Sequence, residues 1–179
     1  MPATPARRVV TGINAQGKSY FVHDGPTPGH LDLGLAIDDE IWVDDPANPD
    51  TAAEQDPARA EKFYLEPPQD GSIIRVFTFF PEGQAPPSGE DFAKQIAEAG
   101  ARFDTRGVME EENPGMHTTK TIDYGIVLSG KIILELDEGE VELEAGDIVV
   151  QRATRHGWHN RGSEPCKIAF ILIGSSNYR

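Results

Sequence analysis

Over "KIILELDEGEVELEAGD" (131–147) apolar and polar residues alternate. Ile132, Leu134 and Leu136 fall on one face and Lys131, Ile133 and Glu135 on the other. After the "DEGE" turn, Val141 and Leu143 alternate with Glu140, Glu142 and Glu144. A period of two marks a half-buried strand, so this stretch predicts a hairpin. Apolar, β-branched runs at "GSIIRVFTFFPEG" (71–83), "AGDIVVQ", "HGWHNRG" and "PCKIAFILIG" add further strands. Their spacing of about eight to twelve residues suits a sandwich or barrel. Nearer the N-terminus, Val9 to Ile13 and Ser19 to Val22 flank the turn chemistry of "NAQGK", and Ile41 to Val43 offers another short strand. The stretch "DPANPDTAAEQDPARAEK" has no strand period and predicts a surface loop with a helical turn after Asp56-Pro57. One segment has a helical period. In "PPSGEDFAKQIAEAG", Ser88 stands as N-cap with Asp91 three residues on, Phe92 and Ile96 lie one turn apart, and Gly100 closes the run. The pattern predicts an all-β chain: an N-terminal arm over 1–70, whose strands pack on the barrel or a partner, and a single barrel over 71–179 with one inserted helix around 89–100.

Bulk properties narrow the function classes. A chain of 179 residues is of single-domain size. Its one cysteine, Cys166, permits no intrachain disulfide. The chain has neither a signal-like leader nor an apolar run approaching ~18 residues, so the expectation is a soluble cytoplasmic protein. The net charge of −14 and pI near 4.6 argue against nucleic acid and anionic membrane as partners, because phosphate binding needs clustered Lys and Arg. The charge favours solubility and does not by itself indicate a partner; a small-molecule substrate is expected from the barrel lumen.

Strand alternation then sorts the polar residues. In "GMHTTKTIDYG", His117, Thr119 and Asp123 share a face while Tyr124, Ile126 and Leu128 take the other. In "RHGWHNRG", His156, Trp158 and Asn160 share one face and His159 and Arg161 the opposite one. If the first face of each strand lines the barrel, its lumen receives His117, Asp123, His156, Trp158 and Asn160. Arg152 and Arg155 precede His156 in a loop at the barrel mouth, where a guanidinium could clamp a carboxylate.

The spacing of "PGMHTTKTIDYGIVLSG" and "AGDIVVQRATRHGWHNRG" resembles the two motifs of the cupin superfamily. His117 matches the first histidine of the His-x-His pair, and Asp123 matches the glutamate, six residues before Gly130. Gly146-Asp147, His156 and Asn160 match the second motif. Thr119 stands where the second histidine of the pair would be. The resemblance implies a double-stranded β-helix (jelly-roll) barrel and a divalent metal, Fe, Mn, Ni or Zn, held by His117, Asp123 and His156 with positions open for substrate. A metal-free pocket in which His156 and Asp123 act as acid–base groups is the alternative, and the residues leave both open. The expected catalytic residues are His156, Asp123 and His117. Trp158, Thr119, Arg155 and Asn160 are the expected substrate contacts. The expected activity is a lyase or isomerase reaction on an oxygenated, aromatic or polyketide-like metabolite. An Fe(II) dioxygenase and a non-catalytic ligand-binding protein are the alternatives. By the same resemblance the N-terminal strands add to a partner's sheet in a homodimer.

Overall fold

The computed structural model describes residues 4–47, 56, 58, 61–84, 89–113, 115–175 and 177. In chain order the elements are β1 (Arg7–Ile13), β2 (Ser19–Pro26), β3 (Gly29–Asp32), β4 (Ala36–Asp44), β5 (Phe63–Tyr64), β6 (Ser72–Phe79), α1 (Glu90–Arg102), β7 (Phe103–Asp104), β8 (Thr121–Ser129), β9 (Lys131–Leu136), β10 (Gly139–Glu144), β11 (Ile148–Arg152), β12 (Gly157–His159) and β13 (Cys166–Gly174). A six-stranded antiparallel sheet runs in the order β11-β8-β13-β6-β4-β3, and a three-stranded sheet runs β10-β9-β12. β1 and β2 pair with each other, and β5 pairs in parallel with β7.

The two larger sheets pack face to face. Val127 of β8 and Cys166, Ile168, Phe170 and Leu172 of β13 meet Ile132, Leu134 and Leu143 of β9 and β10 in one apolar cluster. Of the alternating apolar residues in "KIILELDEGEVELE", Ile132, Leu134 and Leu143 reach that cluster, whereas Leu136 and Val141, in the same phase but nearer the turn, are 40% and 50% exposed. The chain crosses from one sheet to the other at Gly130, whose φ of 77° is open to glycine. A Cβ there would lie 2.6 Å from the Pro165 carbonyl oxygen.

The N-terminal strands β3 and β4 extend the six-stranded sheet, with β4 pairing along β6 past a bulge between Glu40 and Trp42. β4 is much longer than the Ile41 to Val43 expected. Its first half carries three consecutive acids, Asp38, Asp39 and Glu40, all buried. Arg75 of β6 bonds Asp38 at 2.9 Å and reaches Glu40 at 3.5 Å, while His30 of β3 bonds Asp39 at 2.7 Å. A buried charge is tolerable only when paired, and these pairings keep an acidic run inside the sheet. The helix occupies Glu90–Arg102 with Gly89 at its N-cap position. Gly100 falls inside it and the helix closes against Phe103. The expected cap Ser88 and the turn residue Pro57 lie outside the described residues. No described helix is long and apolar enough to cross a membrane.

A candidate active site inside the barrel

Between the sheets lies a cavity of about 210 Å³. Period two on β6 sends Arg75, Phe77 and Phe79 into it; β8 contributes Asp123, β11 Gln151, β12 Trp158, and β13 Phe170 and Leu172. The aromatic walls are interlocked: Phe170 meets Trp158 edge-on at 5.3 Å and Phe77 at 6.2 Å between ring centroids. His117, Thr119 and His156 complete the polar part of the lining.

The two histidines are brought together by backbone pairing. His117 N donates to His156 O at 2.9 Å, and His156 N donates to His117 O at 3.0 Å. Their ring centroids are 4.2 Å apart. Each Nδ1 lies against the carbonyl two residues back, Gly115 O at 3.1 Å for His117 and Thr154 O at 2.8 Å for His156. A carbonyl only accepts, so each Nδ1 carries the proton and each Nε2 presents a lone pair. Burial lowers the pKa of both, and the adjacent His117 helps push His156 down to about 4. At neutral pH the pair is therefore two uncharged imidazoles with basic Nε2 atoms.

Asp123 is 5% exposed. Burial raises its carboxyl to about 6, while the hydroxyls of Thr121 and Thr119 and the charge of Arg75 oppose that rise. Thr119 and Thr121, on the same inward face, share a hydrogen bond of 2.7 Å between their hydroxyls. The Oδ1 of Asp123 is buried without a hydrogen-bond partner, as is Nε2 of Gln151.

These facts bear on the metal that the motif resemblance implies. The imidazole pair offers two Nε2 donors of the right kind. Among the described residues, however, no group of three His, Cys, Asp or Glu side chains is placed to hold a metal ion. Asp123, the carboxyl expected to complete the set, lines the same cavity but forms no such group with His117 and His156. Asp123 is engaged with Thr121, Thr119 and Arg75, whereas the charge acting on His117 is Glu110. Aspartate is also one methylene shorter than the glutamate of the motif. The three residues share the cavity without forming the expected three-donor set.

Of the expected substrate contacts, Trp158 and Thr119 line the cavity. Asn160 does not; it is 2% exposed and its Nδ2 donates to the carbonyls of Phe79 and Glu164, each at 2.9 Å, so its role is to fasten loops. Arg155 also stands outside the lining. Its guanidinium is taken up by Glu110, at 2.6 and 2.7 Å, and by Asp137 at 2.6 Å. Arg155 holds the Glu110 carboxyl down to about 2. His159, on the outward face, bridges Glu82 and Glu135 at 2.8 and 2.7 Å.

Two polar cavity residues, Arg75 and Gln151, had no role among the sequence expectations. The signal for Arg75 was available: it holds the same period-two phase as Phe77 and Phe79 in an otherwise apolar strand. Gln151 is placed by its register opposite Asp123, which only the strand pairing discloses.

The cupin-domain-containing oxidoreductase srdD of Neurospora crassa is 29% identical over 184 residues, spanning 96% of this chain and 78% of that protein. The cupin-domain-containing oxidoreductase virC of Hypocrea virens is likewise 29% identical over 184 residues, spanning 96% and 79%. A solved cupin superfamily protein from Desulfitobacterium hafniense has 12% identity and a TM-score of 0.38, covering 58% of this chain and 68% of that one. The Cupin_2 model of the cupin domain matches residues 107–173. The segment 107–173, which runs from before β8 almost to the end of β13, is thus similar to the cupin domain.

Proposed function

We propose that this protein is a cupin enzyme that binds an apolar, oxygen-bearing small molecule in the barrel and moves protons on it. The observation that carries the reading is the composition of one cavity. Two neutral imidazoles with free Nε2 atoms and a buried carboxyl of raised pKa share a space otherwise walled by aromatic rings. Paired groups whose environments push their pKa values in opposite directions are how a single pocket supplies both acid and base.

The roles follow from the chemistry of each group. His156, 3% exposed and deprotonated well below neutrality, is the base, taking a proton from carbon adjacent to a carbonyl through Nε2. Half-buried His117, in ring contact with it, passes that proton toward solvent. Protonated Asp123 donates to the carbonyl oxygen as negative charge develops there. The aromatic wall excludes water and orients a planar substrate. Enolisation, and dehydration or decarboxylation proceeding through the same enol, are the reactions this arrangement supports.

A redox reaction is the second reading, favoured by the shared name of the two relatives that align over nearly the whole chain. One experiment separates the two. Purified protein is incubated in D2O with a panel of enolisable aryl ketones, and the products are read by mass spectrometry. Deuterium incorporation without change of oxidation level, lost in His156→Ala, supports proton transfer. Gain or loss of two hydrogens supports the redox reading and displaces the first.

A further inference from the structure

Three side chains of the cavity wall carry an orphaned buried polar atom, Arg75 at Nε, Asp123 at Oδ1 and Gln151 at Nε2, and the last two stand directly opposite one another. Asp123 on β8 is the register partner of Gln151 on β11. Opposed residues of an antiparallel pair hold their Cβ atoms about 5 Å apart on one face. Both side chains line the cavity and both are 5% exposed. Asp123 Oδ1 lacks a partner and so does Gln151 Nε2. An unsatisfied buried polar atom costs about 1–3 kcal/mol, so two on neighbouring positions of an aromatic-walled cavity call for a ligand that answers both.

We infer that Asp123 and Gln151 form a two-point receptor for the paired oxygens of a 1,3-dicarbonyl compound or its cis-enol, whose apolar body lies among Phe77, Trp158 and Phe170. The Gln151 amide donates to one carbonyl oxygen, and the Asp123 carboxyl meets the second oxygen, giving or accepting the hydroxyl proton. A simple ketone has one oxygen and leaves one of the two atoms unpaired. The inference deepens the proton-transfer reading and rests on it for the chemistry, though not for the binding. In that chemistry the hydrogen on the central carbon leaves as a proton to His156 Nε2, and its electron pair becomes the new C=C bond. The π pair of the second carbonyl takes the proton of Asp123 to become the enol O–H. The change is an isomerisation and needs no oxidant or reductant.

The test is calorimetric titration of the full chain with two probes, 1-phenylbutane-1,3-dione and 1-phenylbutan-1-one, which differ by one oxygen. The wild-type protein is expected to bind the diketone roughly tenfold or more tighter than the monoketone. In Gln151→Leu that preference falls to about twofold or less, whereas Gln151→Asn, which keeps a shorter amide, retains part of it. Near-UV circular dichroism and the melting temperature show whether each variant is folded, and Gln151→Met serves if the leucine variant is not. Equal affinity of the wild type for the two probes overturns the receptor, as does failure to bind either, or an unchanged preference in folded Gln151→Leu. If the preference holds in the wild type and vanishes in the variant, but no deuterium enters the bound diketone from D2O, the receptor stands and the proton-transfer reading falls.

Discussion

Replacing Asp123 with asparagine removes a buried carboxyl while leaving its volume nearly unchanged. In the folded protein that carboxyl titrates at about 6, against 3.8 when exposed, chiefly because burial disfavours its charged form. Between those values the native state holds a proton that the unfolded state has released. The stabilising contribution is thus complete below pH 3.8 and is lost as pH rises through about 6. Above that point wild-type protein carries a handicap of about 3 kcal/mol from the buried charge. Asparagine carries none. Weaker contacts with Thr119 and Thr121 take back roughly 1 kcal/mol, so Asp123→Asn should be more stable than wild type by about 2 kcal/mol at pH 8. The advantage should vanish near pH 4. Urea unfolding followed by circular dichroism at several pH values between these limits measures it. The same variant should lose proton transfer, since asparagine cannot supply the acid. A variant less stable than wild type by an amount independent of pH would mean that Asp123 is ionised and well paired, and the assignment of Asp123 as the acid would fail.

Further outcomes follow from the same contacts. Nitrogen NMR should show His117 and His156 as neutral Nδ1–H tautomers at pH 7, with His156 protonating only as pH falls to about 4. Its lowered pKa means that stability present above pH 6.5 declines toward pH 4, and an imidazolium at neutral pH would refute the base assignment. Phe170→Ala empties the wall between Phe77 and Trp158 and should cost about 3–5 kcal/mol by denaturant unfolding; a loss below ~1 kcal/mol would mean those rings are not packed as described. The hairpin β1–β2 exposes Ile13 and Phe21, and the outer face of β8 and the edge strand β11 exposes Leu128, Ile148 and Val150. Such apolar faces beside an open strand edge are expected to be covered by a second copy. Light scattering should therefore give a dimer that Phe21→Asp or Ile148→Asp dissociates, and a monomeric wild type would contradict this.

How much of this could be read from the sequence depends on how local each cause is. The hairpin β9–β10 was legible because a single buried face imposes period two on adjacent residues. Alternation also put His117, Asp123, His156 and Trp158 on the faces that line the cavity. What escaped depends on partners distant along the chain. The acidic run Asp38 to Glu40 reads as solvated until Arg75, in another strand, is seen to pair with it. Arg155 reads as a free clamp until Glu110, 45 residues away, is seen to occupy it. Asn160 shares its strand phase with Trp158, yet it lies past the end of β12, where carbonyls of Phe79 and Glu164 capture its amide. Common facing into one barrel does not fix which groups touch, and among the described residues no three His, Cys, Asp or Glu side chains are placed to hold a metal ion.

The pH dependence of kcat/KM for deuterium entry from D2O into a bound diketone addresses the proton-transfer assignment most directly. A neutral His156 and a protonated Asp123 are both required, so the profile should rise through about pH 4, peak near pH 5 and fall above about pH 6. Asp123→Asn should lose the alkaline limb together with most of the rate, and His156→Ala should abolish exchange. A profile flat from pH 4 to pH 8, or one left unchanged by both substitutions, would contradict the account.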